Sequence, residues 1–94
     1  MPYDLRIDRQ VVKQVARLDA KIFRQVVMRI LELGQNPRPH DSEALKGYRD
    51  PEVPGRKGFR VDQGEYRILY TVDDERKVVI IFRTGHRSEI YRGR

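Results

Sequence analysis

Two hydrophobic periods share this chain, and the point where one replaces the other separates a helical part from a sheet part. Tyr3, Leu5 and Ile7 alternate with Asp4 and Arg6, the period of two that marks a short strand. Apolar positions then recur at intervals of three and four. Val11, Val12, Val15 and Leu18 fall on one helical face behind Asp8, a capping residue. Ile22, Phe23, Val26, Val27, Ile30 and Leu31 make a stronger stripe behind Asp19, a second cap. Gly34, with Asn36 and Pro37 beyond it, predicts the end of that helix, and the short joint between the two predicts an antiparallel helical hairpin.

Residues 35–58, QNPRPHDSEALKGYRDPEVPGRKG, hold four of the five prolines and three glycines. They predict an irregular connection with one helical turn around Ser42 to Leu45 and an exposed, structural His40. Period two then returns. Phe59 and Val61 alternate with Arg60 and Asp62, Gln63 to Glu65 make a turn, and Tyr66, Ile68, Tyr70 and Val72 alternate with Arg67, Leu69 and Thr71. Asp73, Asp74 and Glu75 read as hairpin residues rather than as paired carboxylates for acid–base work. Lys77 to Arg83 is apolar enough for a strand covered on both faces. The expected fold is α+β, one domain spanning residues 1–94: an N-terminal strand, a helical hairpin, then an antiparallel meander of three to four strands. Both helices lie on one sheet face, and the other face is partly open and carries arginines.

Composition narrows the function. A chain of 94 residues has room for one modest core. The longest apolar run, VVIIF at 78–82, falls far short of the roughly 20 residues that span a bilayer, and no signal-peptide segment is recognisable at the start. The expectation is a cytoplasmic protein without membrane contact. The absence of cysteine excludes disulfides and thiolate metal sites, and His40 and His86, far apart in sequence, make a poor zinc pair, so neither metal nor cofactor is expected. The net charge is +6, 15 of the 20 basic residues are arginine, and residues 77–94 carry five Lys/Arg against one Glu. The planar guanidinium fork matches phosphate better than an ammonium does. Nucleic acid is therefore the first partner to consider, and an acidic protein the second.

Arg67 stands on the opposite parity from Tyr66, Ile68, Tyr70 and Val72, beside a turn, and so points away from the main apolar set. With the meander paired as expected, Arg60, Lys57, Arg87 and Tyr91 converge on it. Strands lie about 4.8 Å apart, which lets side chains from two or three of them grip one phosphodiester. Scission of RNA without a metal needs a 2′-hydroxyl to lose its proton and attack phosphorus in line while charge builds on the phosphoryl oxygens. Arginines stabilise that charge but do not shuttle protons. Proton transfer falls to Tyr91, His86 or Lys57. A phenol is a weak base at neutral pH until surrounding cations favour its phenolate, and an imidazole starts closer to the working pH. His86, after Gly85, has a second reading in which it finishes the strand and hydrogen-bonds backbone. Lys57, Arg56 and Arg83 are expected to contact RNA around this centre.

At these residues the chain resembles a known family. GEYRILYTVDDERKVVIIFRTGHRSEIY, residues 64–91, is similar to the C-terminal sheet of the RelE/ParE superfamily, bacterial and archaeal toxins of type II toxin–antitoxin modules. The helices, ALKG at 44–47 and the strand at Tyr3 to Ile7 fit as well, so the resemblance covers essentially the whole chain. The resemblance implies a toxin neutralised by an antitoxin encoded next to it, touching operator DNA only through that complex. Its RelE branch implies a ribosome-dependent endoribonuclease that cuts mRNA in the A site. The alternative is a ParE-like, non-catalytic inhibitor of DNA gyrase. Carried over by position, Arg67 is a phosphate clamp, Arg60 the basic residue of the preceding strand, Arg87 the arginine after the glycine, with His86 sharing its role, and Tyr91 the base. The chain departs from the family pattern where two lysines are usual: it has Gly58 and Arg60, with Lys57 one place off, and its segment from Gly85 to Tyr91 is shorter. A plain RNA-binding domain would show more exposed aromatic residues for stacking.

Overall fold

The longer helix begins as its spacing predicts: the Asp19 carboxylate accepts the Ile22 backbone N–H at 3.1 Å, satisfying one of the donors that a helix start leaves free. A computed structural model of the chain describes residues 2–91. Arg92 and Arg94, two of the five basic residues in 77–94, lie outside the described residues. The elements run β1 (Asp4–Ile7), α1 (Arg9–Ala16), α2 (Ala20–Gln35), β2 (Glu43–Ala44), β3 (Gly58–Gln63), β4 (Tyr66–Asp73) and β5 (Val78–His86).

The strands form one five-stranded sheet in the order β1-β5-β4-β3-β2. β3, β4 and β5 are the expected antiparallel meander, but β1 pairs in parallel with β5, Leu5 opposite Val79, so the sheet is mixed. The expected helical turn at Ser42 to Leu45 is instead the short edge strand β2, antiparallel to β3, because Leu45 donates its N–H to Gly58 O at 2.9 Å rather than closing a helical ring.

One sheet face is buried under both helices. Val11 and Val15 of α1 and Val26, Ile30 and Leu33 of α2 meet Phe59, Val61, Ile68, Tyr70, Val72, Val79 and Ile81. Only one row of the α2 stripe goes in. A single sheet covers an apolar stripe of about 100°, so the row of positions 26, 30 and 33 is buried while Phe23 and Leu31 stay exposed, as Val12 does on α1. Gly34 does not end the helix; α2 continues to Gln35, and Gly34 O accepts the Tyr3 N–H at 2.8 Å, tying β1 to the last turn.

The other face is covered at one end by residues 45–57. Tyr48 lies over Gly58, where an added Cβ would stand 2.9 Å from its Cγ, and stacks on Phe82 at 5.4 Å. A buried ion pair braces this segment: Arg56 bonds Asp50 through Nε at 2.7 Å and Nη2 at 2.9 Å. The acidic hairpin is structural too. Asp74 takes both Arg38 terminal nitrogens and the Tyr3 hydroxyl, fastening β1 and the long connection to the β4–β5 turn.

Candidate active site

A bulge in β5 decides which side chains reach the open end of the second face. Tyr70 pairs with Ile81 but Leu69 pairs with Arg83, leaving Phe82 without a partner and reversing the alternation. Val79 and Ile81 face the helices before the bulge; after it Thr84 does, bonding Gln14 of α1, and so does His86, opposite Tyr66. Arg83 and Gly85 consequently join Leu69 and Arg67 on the other side.

Arg67 is the centre of that side. Its Nε donates to Asp62 Oδ1 at 2.9 Å, across the β3–β4 pair in which the two residues are directly opposed. This bond, more than the nearby Tyr91, pushes the guanidinium above its usual pKa. Arg60, two residues earlier on the same face of β3, brings Nη1 to 3.9 Å from the same Asp62 oxygen and bonds Glu43 of β2 through Nη2 at 2.6 Å. Tyr91 completes the group. Its ring centroid is 5.9 Å from Arg67 Cζ, and the residue is 49% exposed. It follows Ile90, which is buried and packs over Gly85, anchoring the returning chain against the end of β5. Arg87 holds the rim, its N–H on Glu65 O at 2.8 Å and its Nε 3.2 Å from the Glu65 carboxylate.

Arg60, Arg67 and Tyr91 are thus brought together, with Arg83 on the same face and Arg87 at the edge. Three expected members are not. His86 leaves on the helix side, its ring edge-on to Tyr66 at 5.5 Å and its Nδ1 bonded by the Ser88 hydroxyl and backbone N–H, so it finishes the strand as its second reading has it. Arg56 is consumed by Asp50. Lys57 lines a cleft of about 460 Å³ beside the acidic hairpin with Arg38 and Asp74, five residues of strand, or about 16 Å, from Asp62. The family's first lysine has no counterpart at Gly58 because the Tyr48 ring fills that space.

A family model described as "ParE toxin of type II toxin-antitoxin system, parDE" matches residues 5–91. The chain belongs to the RelE/ParE toxin superfamily. It is 31% identical over 93 residues to "Toxin RelG" of Mycobacterium tuberculosis, covering 98% of this chain and 99% of that protein. It is 28% identical over 93 residues to the "mRNA interferase toxin RelE" of Escherichia coli, covering 97% and 92%. Among solved structures it resembles the archaeal RelE–RelB complex from Pyrococcus horikoshii OT3, with a TM-score of 0.77, 28% identity and 95% and 99% of the two chains covered. The toxin–antitoxin complex RelBE2 from M. tuberculosis gives 0.72, 29% identity and 95% of each chain.

For this RelE/ParE toxin, two site residues escaped the sequence reading. Asp62 and Glu43 carry the wrong charge for a phosphate site, yet Asp62 contacts both central arginines and Glu43 contacts Arg60. Asp62 was legible in part, since it shares strand parity with Arg60; Glu43 was not, since β2 is too short to announce itself. Among the described residues no helix is long and apolar enough to cross a membrane.

Proposed function

We propose that this toxin is a ribosome-dependent endoribonuclease that cuts mRNA by attack of the 2′-hydroxyl on the adjacent phosphorus. The observation that carries the reading is the approach of the Tyr91 ring to the Arg67 guanidinium, with Arg60 on the same carboxylate. A clamp and a proton-accepting hydroxyl within one phosphodiester's reach are what the reaction needs. Arg67 and Arg60 hold the non-bridging oxygens and stabilise the charge that builds there, and Tyr91 takes the 2′-hydroxyl proton. The 2′-oxygen closes on phosphorus as the bond to the 5′-oxygen breaks, and the departing 5′-oxygen takes up a proton from water. Arg83 and Arg87 extend the cationic surface along the strand. Relatives named mRNA interferase support the activity at modest identity, and the RelE–RelB complexes support a cognate antitoxin as partner.

The test adds purified toxin to translating ribosomes and maps the mRNA ends. Cuts within codons that vanish with Arg67→Ala and fall steeply with Tyr91→Phe are expected; undiminished cutting by both variants refutes the assignment. The matched family model bears the ParE name, which favours one second reading, a non-catalytic inhibitor of DNA gyrase. Inhibition of supercoiling by the purified protein, unaffected by Tyr91→Phe, would establish it instead.

A further inference from the structure

Three of the four arginines placed around the site, Arg83 being the fourth, are already paired with a carboxylate of the same chain. Arg60 has Glu43 and Asp62, Arg67 has Asp62, and Arg87 has Glu65. The pairing is not incidental to phosphate binding. A phosphate taken side-on by Arg67 needs its Nε, and that nitrogen is bonded to Asp62 Oδ1. A phosphate bridging Arg60 needs its terminal nitrogens, and these face Glu43 and Asp62. Asp62 lies between both guanidinia, where a phosphoryl oxygen would lie, and it remains in part open to water.

We infer that Asp62, assisted by Glu43, is a resident anion in the phosphate seat and a specificity-determining residue that makes the toxin disregard free RNA. The inference rests on the nuclease reading above and adds what sets its choice of substrate. Displacing Asp62 carries a fixed free-energy cost for every phosphodiester that enters. A loose strand meets that cost from its own weak backbone attraction. A strand held in place by a larger assembly arrives at high effective concentration and in the right orientation, so the same cost is readily overcome. The cost is equal for both, so it separates them through occupancy: the presented strand still fills the site at its high effective concentration, and the loose strand no longer does.

The experiment measures binding of a labelled single-stranded oligonucleotide by anisotropy across a salt titration. It uses RNA and its 2′-deoxy counterpart, which 2′-hydroxyl attack cannot cut. Asp62→Asn keeps the size of the side chain and removes the charge. It is expected to bind both strands about tenfold more tightly, with a log–log salt slope steeper by about 0.7 for each arginine released. The gain disappears in an Arg67→Ala background, and cutting of free RNA rises relative to cutting on ribosomes. Glu75→Gln, which removes one charge at the distant β4–β5 hairpin, tightens binding far less. Asp62→Ser repeats the test should the amide disturb the fold.

Unchanged or weaker binding by both Asp62 variants, with unchanged melting, overturns the inference, as does an equal gain from Glu75→Gln or a gain that survives loss of Arg67. Should the toxin prove not to be a nuclease, cuts are missing with every variant while the tighter deoxy-strand binding of Asp62→Asn remains, so the two failures are told apart.

Discussion

Two Asp–Arg pairs sit on the same sheet face and do opposite things. Asp50–Arg56 is sealed under the 45–57 segment, with side chains 1% and 10% exposed, and Asp50 further accepts the Glu52 and Val53 N–H groups and the Tyr48 hydroxyl. Those bonds, Arg56 first, hold the Asp50 carboxyl well below its usual pKa. Asp62–Arg67 has side chains 38% and 18% exposed, and it shares its carboxylate with a second arginine. Water can replace either partner there, and on the proposed function so can a phosphate. The chemistry of the two pairs is the same; burial decides which is sealed into the scaffold and which stays open to exchange.

The sharpest way to break the comparison is to remove one arginine from each pair. Arg67→Ala should lower mRNA cutting by about 10²–10³-fold, the usual loss for one transition-state donor, with the melting temperature nearly unchanged. Arg56→Ala should do the reverse, unfolding earlier while the folded fraction keeps its activity. Cleavage assays on ribosomes beside thermal melts check both. Next is the acid side: Asp50→Asn leaves Arg56 facing a neutral group and should lower stability by about 3 kcal/mol in urea titration, whereas Asp62→Asn should change it by less than about 1 kcal/mol.

A subtler loosening of the sealed pair comes through its cover. Gly58→Ala forces the Tyr48 ring away, and with it the hydroxyl bond to Asp50 at 3.1 Å, at a cost of about 1–3 kcal/mol. An unchanged urea midpoint would show that the segment moves freely. The smallest effect belongs to a third, exposed pair. Arg38, and then Tyr3, lower the Asp74 pKa from 3.8 to about 2. A depressed carboxyl stabilises the fold above its unfolded value, so this contribution is complete above about pH 4 and is lost as pH falls towards 2, amounting to less than about 1 kcal/mol. Asp74→Asn should flatten that part of the acid melting curve.

How much was legible follows from what local pattern encodes. The alternation over Tyr66 to Val72 announced β4 and placed Arg67 on the face away from the helices, and the Asp19 cap and the row through Val26 and Ile30 announced α2. The parallel partnership of β1 and β5 was not announced, because a strand's own period carries no information about its neighbour's direction. Phe23 and Leu31 read as core because amphipathicity shows which residues prefer burial, not how wide a surface is available to bury them.

Residue order alone was enough for the two helices, the three meander strands, the α+β class and the parity that turns Arg67 away from the helices, because those depend on propensity and period along a few consecutive positions. Only the tertiary structure decided the membership of the site. One unpaired residue, Phe82, inverted the parity of everything after it, carrying Arg83 onto the arginine face and His86 off it. Packing decided that Arg56 is bound internally and that Asp62 stands between Arg60 and Arg67, since an ion pair's role depends on the water left around it, which is a property of the assembled surface and not of any stretch of chain.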